Sequence, residues 1–204
     1  MSAVGIIGGS FNPPHAGHLV CARMAAEQLG LDRVLVMPYS RPSHREVPDD
    51  PGPEVRLDLC RLATDGDGLL EASGVEVARG GVSYTAETLE ALSEGPGGEE
   101  FTLILGADAA EQLDSWSRPE RVVELARLAI APRVGAAPAE QVALDLRERF
   151  PGARAESFDM PRIGISSSMV RDRVGAGLSI RDMVCPSVEA AIAEGGWYTE
   201  AGAT

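Results

Sequence analysis

Residues 4–18 read VGIIGGSFNPPHAGH and place two histidines on a glycine-rich turn. The apolar start of this stretch predicts a buried strand, and residues 19–29 continue it with a helical pattern. Adjacent glycines let backbone N–H groups approach a ligand closely, while the helix points its positive end at the same place. The stretch therefore predicts an anion site at a strand-to-helix junction, with His15 and His18 on one face of the first helical turn.

Apolar runs alternate with helical patterns along the rest of the chain. The strand-like runs are 4–8, 34–37, 101–105 and 128–131. The helical patterns begin near Ala16, Glu54, Thr85, Pro119, Ala139, Ser167 and Pro186. Such alternation predicts parallel βαβ units. We expect an α/β protein with a Rossmann-like, doubly wound parallel sheet, helices on both faces, and one domain over residues 1–204 that ends in a small helical part at about 164–198.

A second candidate for phosphate binding lies near the C-terminus, where residues 164–171 read GISSSMVR. Three hydroxyls just ahead of a short helix offer N-cap acceptors and side-chain donors at a helix N-terminus, which suits phosphate oxygens. Arg171 lies one turn further on, where its guanidinium can make two-pronged contact with a polyphosphate. Taken alone, the segment favours the plain interpretation, in which the serines cap the helix and Arg171 is a solvated surface charge.

Charge and composition restrict the partners of the chain. A net charge of −13 argues against a nucleic-acid polymer or an anionic membrane as the main partner. Residues 1–45 and 160–185 nevertheless each carry four arginines against two acids, so both predicted phosphate segments are basic. All eighteen basic residues are arginine, which excludes a Schiff-base or P-loop lysine. Three cysteines without CxxC spacing, no signal-peptide pattern and no long apolar run predict a reduced, cytoplasmic protein.

Together the two glycine- and serine-rich segments resemble the HxGH and ISSTxIR signatures of the nucleotidyltransferase superfamily related to class I aminoacyl-tRNA synthetases. Ser168 stands where that superfamily usually has threonine, and Val170 where it has isoleucine. The resemblance implies that the chain binds ATP and transfers its adenylyl group.

Segments in the middle of the chain resemble one branch, the bacterial nicotinate mononucleotide adenylyltransferases. SYTAETL at 83–89 is similar to SYTxDTL, with Glu87 for aspartate. LGAD at 105–108, followed by Trp116, is similar to LGADxxxxLxxW.

The loop after the second predicted strand carries a further match. Residues 37–45 are similar to MPxxxPPHK, with Ser43 for the second proline and Arg45 for the lysine. The order and spacing of all these segments extend the resemblance over about residues 3–198.

The resemblance also implies roles for individual residues. His15 and His18 would contact the α- and bridging phosphates, and Ser167 and Arg171 the departing pyrophosphate. Further contacts with ATP are implied for Gly8, Gly9, Ser10, Phe11, Gly17, Arg45, Gly106, Asp108, Ile165 and Ser166. Contacts with the pyridine nucleotide are implied for Asn12, Tyr84, Thr85, Trp116 and Arg133.

Several of these residues also have an interpretation of their own. Thr85 can cap a helix whose free amides would accept a carboxylate, or cap it without any ligand. Trp116, among polar neighbours, can stack on a flat pyridine ring or pack against the core. Asp108 follows a strand end and suits ribose hydroxyls or a helix cap. We expect Gly17 to be required because a side chain there would collide with ATP.

The reaction implied is Mg²⁺-dependent transfer of AMP from ATP to the 5′-phosphate of nicotinate mononucleotide, with Mg²⁺ carried by ATP and no metal site in the protein. Alternatives are pantetheine-phosphate adenylyltransferase, disfavoured by the middle segments, and an enzyme that prefers nicotinamide mononucleotide. A nucleotide-binding regulator without turnover is disfavoured by the intact histidines, and an oxidoreductase by the lack of GxGxxG. No nucleic-acid or membrane partner is expected, and a homo-oligomer is left open.

Overall fold

The computed structural model describes residues 2–42, 49–95 and 97–199 and contains one six-stranded sheet. The strands are β1 (Ala3–Gly9), β2 (Arg33–Pro38), β3 (Leu70–Ala72), β4 (Glu100–Gly106), β5 (Ala126–Ala131) and β6 (Ala155–Ser157). The α-helices are α1 (Ala16–Leu29), α2 (Pro53–Thr64), α3 (Val75–Arg79), α4 (Thr85–Ser93), α5 (Ala107–Glu111), α6 (Pro119–Leu125), α7 (Ala139–Arg149), α8 (Ser167–Gly175) and α9 (Pro186–Gly195). A 3-10 turn, Leu113–Ser115, follows α5.

The strand order β3-β2-β1-β4-β5-β6, with every pair parallel, confirms the doubly wound α/β fold. The order reverses between β1 and β4, whose carboxyl ends therefore border a crevice. In sheets of this kind ligands bind in that crevice. The turn after β1, which carries both histidines, lies at its edge.

The four long apolar runs became β1, β2, β4 and β5, as predicted, and each predicted helix start lies within one residue of an observed one. The two outermost strands, β3 and β6, were not predicted. Each has three residues and only one of them is buried, so neither produces an apolar run. A single domain over the whole chain remains a prediction.

Alternate residues of the central strands supply two apolar layers. Val4 and Ile6 of β1 pack on one face with residues of β4, β5, α4 and α7, whereas Ile7 packs on the other face beneath α1. Helix α1 offers that second face only small buried side chains, namely Ala22, Ala25 and Ala26. Because these side chains are small, they allow α1 to pack close to this face of the sheet.

The C-terminal part forms a third apolar cluster of its own. Leu59 of α2 packs there with Val170 of α8 and with Val188 and Ile192 of α9. The small helical part expected at about 164–198 is therefore present, and it joins the rest of the molecule through α2.

Gly5 tests how tightly β1 is packed. A Cβ atom at this position would lie 2.8 Å from Leu31 Cδ1, 3.0 Å from Val34 Cγ2 and 3.2 Å from Ile104 Cδ1. We expect Gly5→Val to lower the free energy of unfolding by about 1–3 kcal/mol through overpacking, measured by urea denaturation. Gly68→Val is the matched control, because a Cβ there meets no atom within 4 Å. Equal losses in both variants would contradict the packing argument.

Candidate active site

The two histidines of the turn after β1 are stacked on each other, as their spacing predicts. Their ring centroids lie 3.7 Å apart with 27° between the planes. His15 is the N-cap residue of α1, and its backbone N–H donates to His18 Nδ1 at 3.3 Å. Phe11 meets the His18 ring edge-on at 4.8 Å, so aromatic contacts on one side and a hydrogen bond on the other fix that ring.

Burial keeps both imidazoles uncharged in the free protein. The pKa of His15 is lowered to about 4, first by burial and then by the nearby Arg133 guanidinium. The pKa of His18 lies well below its usual value because of burial, then of His15 and Arg133. An anion placed beside the two rings would favour their protonated form, in which both ring nitrogens are hydrogen-bond donors. His15 Nδ1 is buried without a hydrogen-bond partner among the described residues.

Gly17 lies close to the His15 ring, so a side chain there would be crowded even without a ligand. A Cβ atom there would lie 3.1 Å from Nδ1 and Cε1 of His15, closer than side chains normally approach. Any substitution would press on the imidazole itself. The predicted collision with ATP remains untested.

The crevice between β1 and β4 is open at the glycines that border it. Gly8 is exposed, and a Cβ there would meet no atom within 4 Å. Gly9 packs beside the Phe11 ring. At the end of β4, a Cβ on Gly106 would lie 2.6 Å from Asp108 Oδ1, so this exposed carboxylate lies back over the strand end. Asp108 is thus placed at the mouth of the crevice, in the first turn of α5.

The structure brings the second predicted motif to the first one. Ser167 Oγ donates to the carbonyl oxygen of Pro13 at 2.9 Å, and Arg171 Nη1 to that of Asn12 at 2.8 Å. Ser166 caps α8 by accepting from Met169 N, as the hydroxyl pattern predicts. In the free protein the two motif side chains therefore hold the histidine turn. Their predicted contact with pyrophosphate remains a prediction.

Arg171 and Asn12 are both largely enclosed. The Arg171 side chain is 11% exposed, and its Nε lies 3.6 Å from Asp49 Oδ2. Asn12 is 1% exposed, and its Oδ1 accepts from the Tyr198 hydroxyl at 2.7 Å. Asn12 thus contacts the C-terminal part of the chain, which sequence reasoning had not foreseen for a residue assigned to the pyridine nucleotide.

The predicted cap of α4 was wrong by one residue. Tyr84, with an extended backbone, occupies the N-cap position, and Thr85 is the first helical residue with no capping hydrogen bond. The first helical hydrogen bond runs from Thr88 N to Tyr84 O and therefore fixes the start of the helix. The amides of the first turn still point out of the helix end, so the predicted carboxylate site does not depend on a threonine cap.

The remaining predicted residues fall in different surroundings. Trp116 is half-buried and packs against the apolar layer on the α4 and α7 side. Arg133 is exposed, and its charge lowers the pKa of both histidines, which places it on their side of the crevice. Ile165 packs against the C-terminal cluster. Arg45 lies outside the described residues.

Sequence reasoning missed one residue that the site depends on, Arg56 of α2. Its side chain is fully buried, and Nη1 donates to the carbonyl oxygen of Ser10 in the glycine turn. An arginine within PEVRLDLC resembles an ordinary solvated helix residue, and only the acidic loop residue Asp50, six positions earlier, hinted at a partner.

The described residues contain neither a cluster suited to a metal ion nor a helix suited to a membrane. Within 2–42, 49–95 and 97–199, no group of three His, Cys, Asp or Glu side chains is arranged to hold a metal ion. None of the helices in these ranges is long and apolar enough to cross a membrane.

Comparison with known proteins agrees with this geometry. Residues 6–173 match the cytidylyltransferase-like family. The chain therefore belongs to the cytidylyltransferase-like family.

Named relatives narrow the class. The chain is 37% identical to a probable nicotinate-nucleotide adenylyltransferase of Synechococcus sp. (strain JA-3-3Ab), over 91% of this chain and 89% of the relative. It is 38% identical to the protein of the same description in Salinibacter ruber, over 93% and 94%. These relatives confirm the resemblance to the nicotinate mononucleotide adenylyltransferases.

Solved structures agree on the fold. Plasmodium falciparum nicotinic acid mononucleotide adenylyltransferase, in complex with APC, superposes with a TM-score of 0.76 at 17% identity, over 97% of this chain and 98% of that one. The same enzyme complexed with NaAD gives 0.76 at 18% identity and the same coverage.

The buried histidine pair should make the stability of the free protein depend on pH. Unfolded His15 takes up a proton near its ordinary pKa of 6.5, but the folded residue does so only near 4. The neutral, buried His15 therefore does not lower the stability above pH 6.5. The free energy of unfolding falls as the pH drops from 6.5 to 4. One such shift amounts to at most about 3 kcal/mol.

We expect His15→Gln to flatten this dependence, measured by urea unfolding of both proteins at pH 7.5 and 4.5. Carboxylates titrate in the same range, but they do so in wild type and variant alike. The difference in pH dependence between the two proteins therefore reports on the histidine pair. An identical pH slope in the variant would contradict the buried, neutral pair.

Proposed function

We propose that the protein is a nicotinate-nucleotide adenylyltransferase that moves AMP from ATP to the 5′-phosphate of nicotinate mononucleotide, giving nicotinate adenine dinucleotide and pyrophosphate in NAD biosynthesis. The observation that carries the proposal is the stacked His15–His18 pair at the switch point of the sheet, in contact through its turn with Ser167 and Arg171. The named relatives support the choice of acceptor.

The chemistry needs positioning more than proton transfer. An oxygen of the acceptor phosphate attacks the α-phosphorus of ATP in line, that bond forms as the bond to the bridging oxygen breaks, and pyrophosphate leaves. Because the attacking group is already an anion, no general base is required. Hydrogen bonds from His15 and His18 would stabilise charge on the α- and bridging phosphates, and Arg171 charge on the leaving group.

Magnesium enters this proposal as part of the substrate, Mg·ATP. The described residues offer no acidic cluster to hold the ion, and Mg²⁺ commonly keeps several waters and binds through substrate phosphates. Two arginines, Arg133 and Arg171, lie on the histidine side of the crevice. These side chains suit the phosphates, and the metal would be carried by them.

The acceptor would lie between α4 and the segment after α5. The amides of residues 85–87 at the start of α4 would accept the nicotinate carboxylate, and Tyr84 precedes them in extended conformation. Trp116 would stack on the pyridine ring with the part of its indole that the core leaves uncovered. Asn12 and Arg133 would also contact the pyridine nucleotide, with Arg133 on the side of its phosphate.

The proposal also covers the cellular location and the partners of the enzyme. A cytoplasmic enzyme would meet ATP and mononucleotides in solution, and no nucleic acid or membrane is needed as a partner. The oligomeric state is left open by this proposal, because the residues assigned to both substrates belong to one chain.

The proposal is tested by pyrophosphate release from Mg·ATP with nicotinate mononucleotide, nicotinamide mononucleotide or phosphopantetheine as the sole acceptor. We expect nicotinate mononucleotide to give the highest kcat/KM, because its carboxylate alone carries the negative charge that the start of α4 favours. Preference for either other acceptor would overturn the choice of substrate while leaving the ATP site in place.

The control for that assay is His18→Ala, which removes the phosphate ligand without touching the sheet. Circular dichroism should match that of the wild type, while pyrophosphate release falls to background. A variant with near wild-type turnover would overturn the phosphate role of the histidine pair.

Trp116→Leu separates stacking from packing at the acceptor side. Leucine keeps an apolar side chain against the core layer but removes the aromatic face, so we expect KM for nicotinate mononucleotide to rise about 10-fold, given stacking of 1–3 kcal/mol per base. KM for ATP should stay within about twofold of the wild-type value. Equal increases for both substrates would remove the stacking role.

A further inference from the structure

Arg56 is a cation with no access to solvent, and its donors are shared between two loops. It lies in the first turns of α2 and is 0% exposed. Its hydrogen bonds run from Nη1 to Ser10 O at 2.9 Å and Tyr39 O at 2.8 Å, from Nη2 to Ser40 O at 3.0 Å, and from Nε to Asp50 Oδ1 at 2.9 Å.

Burying an arginine so completely is unfavourable unless its charge and its N–H groups are paired. Here one carboxylate supplies the opposite charge, and backbone oxygens of the glycine turn and of the segment after β2 take the remaining donors. Packing of α2 alone would be served better by an apolar residue. The planar fork reaches several oxygens at fixed angles, which a lysine ammonium cannot reproduce.

The segment after β2 leads directly to the acceptor side. Ser40 N donates to Ser83 Oγ at 3.1 Å, and Ser83 N donates to Arg41 O at 3.0 Å. A parallel bridge joins Arg41 to Val82. Ser83 precedes Tyr84, the N-cap residue of α4, where the nicotinate carboxylate would bind. A continuous set of hydrogen bonds therefore runs from the phosphate turn through one guanidinium to the acceptor segment.

We infer that Arg56 is a positioning residue that couples the two substrate subsites, so that occupation of the ATP side tightens binding on the acceptor side. The inference rests on the proposed function, because it takes the acceptor to lie at α4. The physical basis is conformational entropy. ATP would order the turn at Ser10, and the turn would order Ser40 through Arg56. The acceptor would then bind a segment that is already ordered and would lose less entropy on binding.

The test is the dissociation constant of nicotinate mononucleotide, measured by calorimetry with and without saturating α,β-methylene ATP. In the wild type we expect the analogue to tighten the mononucleotide at least fivefold, the lower end of ordinary coupling between sites. In Arg56→Lys, which keeps the charge but loses the fork, the ratio of the two constants should fall towards one. A purely structural role would lower the melting temperature without changing this ratio.

Arg61→Lys is the matched control on the same helix. Arg61 is exposed, and its side chain bonds to Asp58 at 2.8 Å rather than to either loop, so the same substitution there should leave the ratio at its wild-type value. If Arg56→Lys does not fold, Ser83→Ala provides the readout, because it removes the acceptor for Ser40 N and leaves the buried arginine in place.

The outcomes are distinct. A ratio unchanged in folded Arg56→Lys, or in Ser83→Ala where the lysine variant does not fold, overturns the inference alone, as does a wild-type ratio of one. A wild-type protein that binds the ATP analogue but not nicotinate mononucleotide overturns the proposed acceptor and the inference with it.

Discussion

The site depends on how the protein holds the carbonyl oxygens of the turn at 10–13. Each buried carbonyl group requires a donor, and these receive theirs from side chains distant in sequence. Arg56 bonds to the first, Arg171 and Ser167 to the last two. Helices α2 and α8 therefore fix the shape of the turn, whereas β1 places the turn where the strand order of the sheet reverses.

Electrostatics explains why the two histidines tolerate such close contact. Two protonated rings about 4 Å apart would repel each other by about 4 kcal/mol at a typical protein dielectric, and burial adds a desolvation cost. The neutral stack is therefore favoured in the free protein, and Arg133 favours it further. A polyphosphate placed in the crevice would offset both terms with its negative charge.

The fold was predictable where apolar burial leaves a long record in the sequence. The central strands are buried on both sides, so 101–105 reads FTLIL, an almost continuous apolar run whose one polar residue is Thr102. The short edge strands leave no such record. The helix start at Thr85 was right but its cap was wrong, because the backbone hydrogen bond to Tyr84 O, invisible in the side-chain pattern, fixes the boundary.

Individual site residues followed the same rule. The histidines and the serine segment were found because their types and spacing carry chemistry, whereas Arg56 was missed because its role is set by oxygens on two remote backbone segments. No local pattern distinguishes a buried helical arginine from a solvated one. Gly17 was predicted to be required because of ATP; in the structure a Cβ there also crowds the His15 ring, a contact that the sequence does not reveal.

Helix α2 links the assembly of the site to the docking of the C-terminal part. One side of it carries Arg56 beneath the phosphate turn, and another buries Leu59 in the cluster with α8 and α9. That cluster also brings Tyr198 to Asn12, where burial raises the pKa of the phenol and keeps its hydroxyl a donor. The α9 region cannot detach without releasing a hydrogen bond from the turn itself. The turn at 10–13, near the N-terminus, is therefore held in part by the packing of the C-terminal helices.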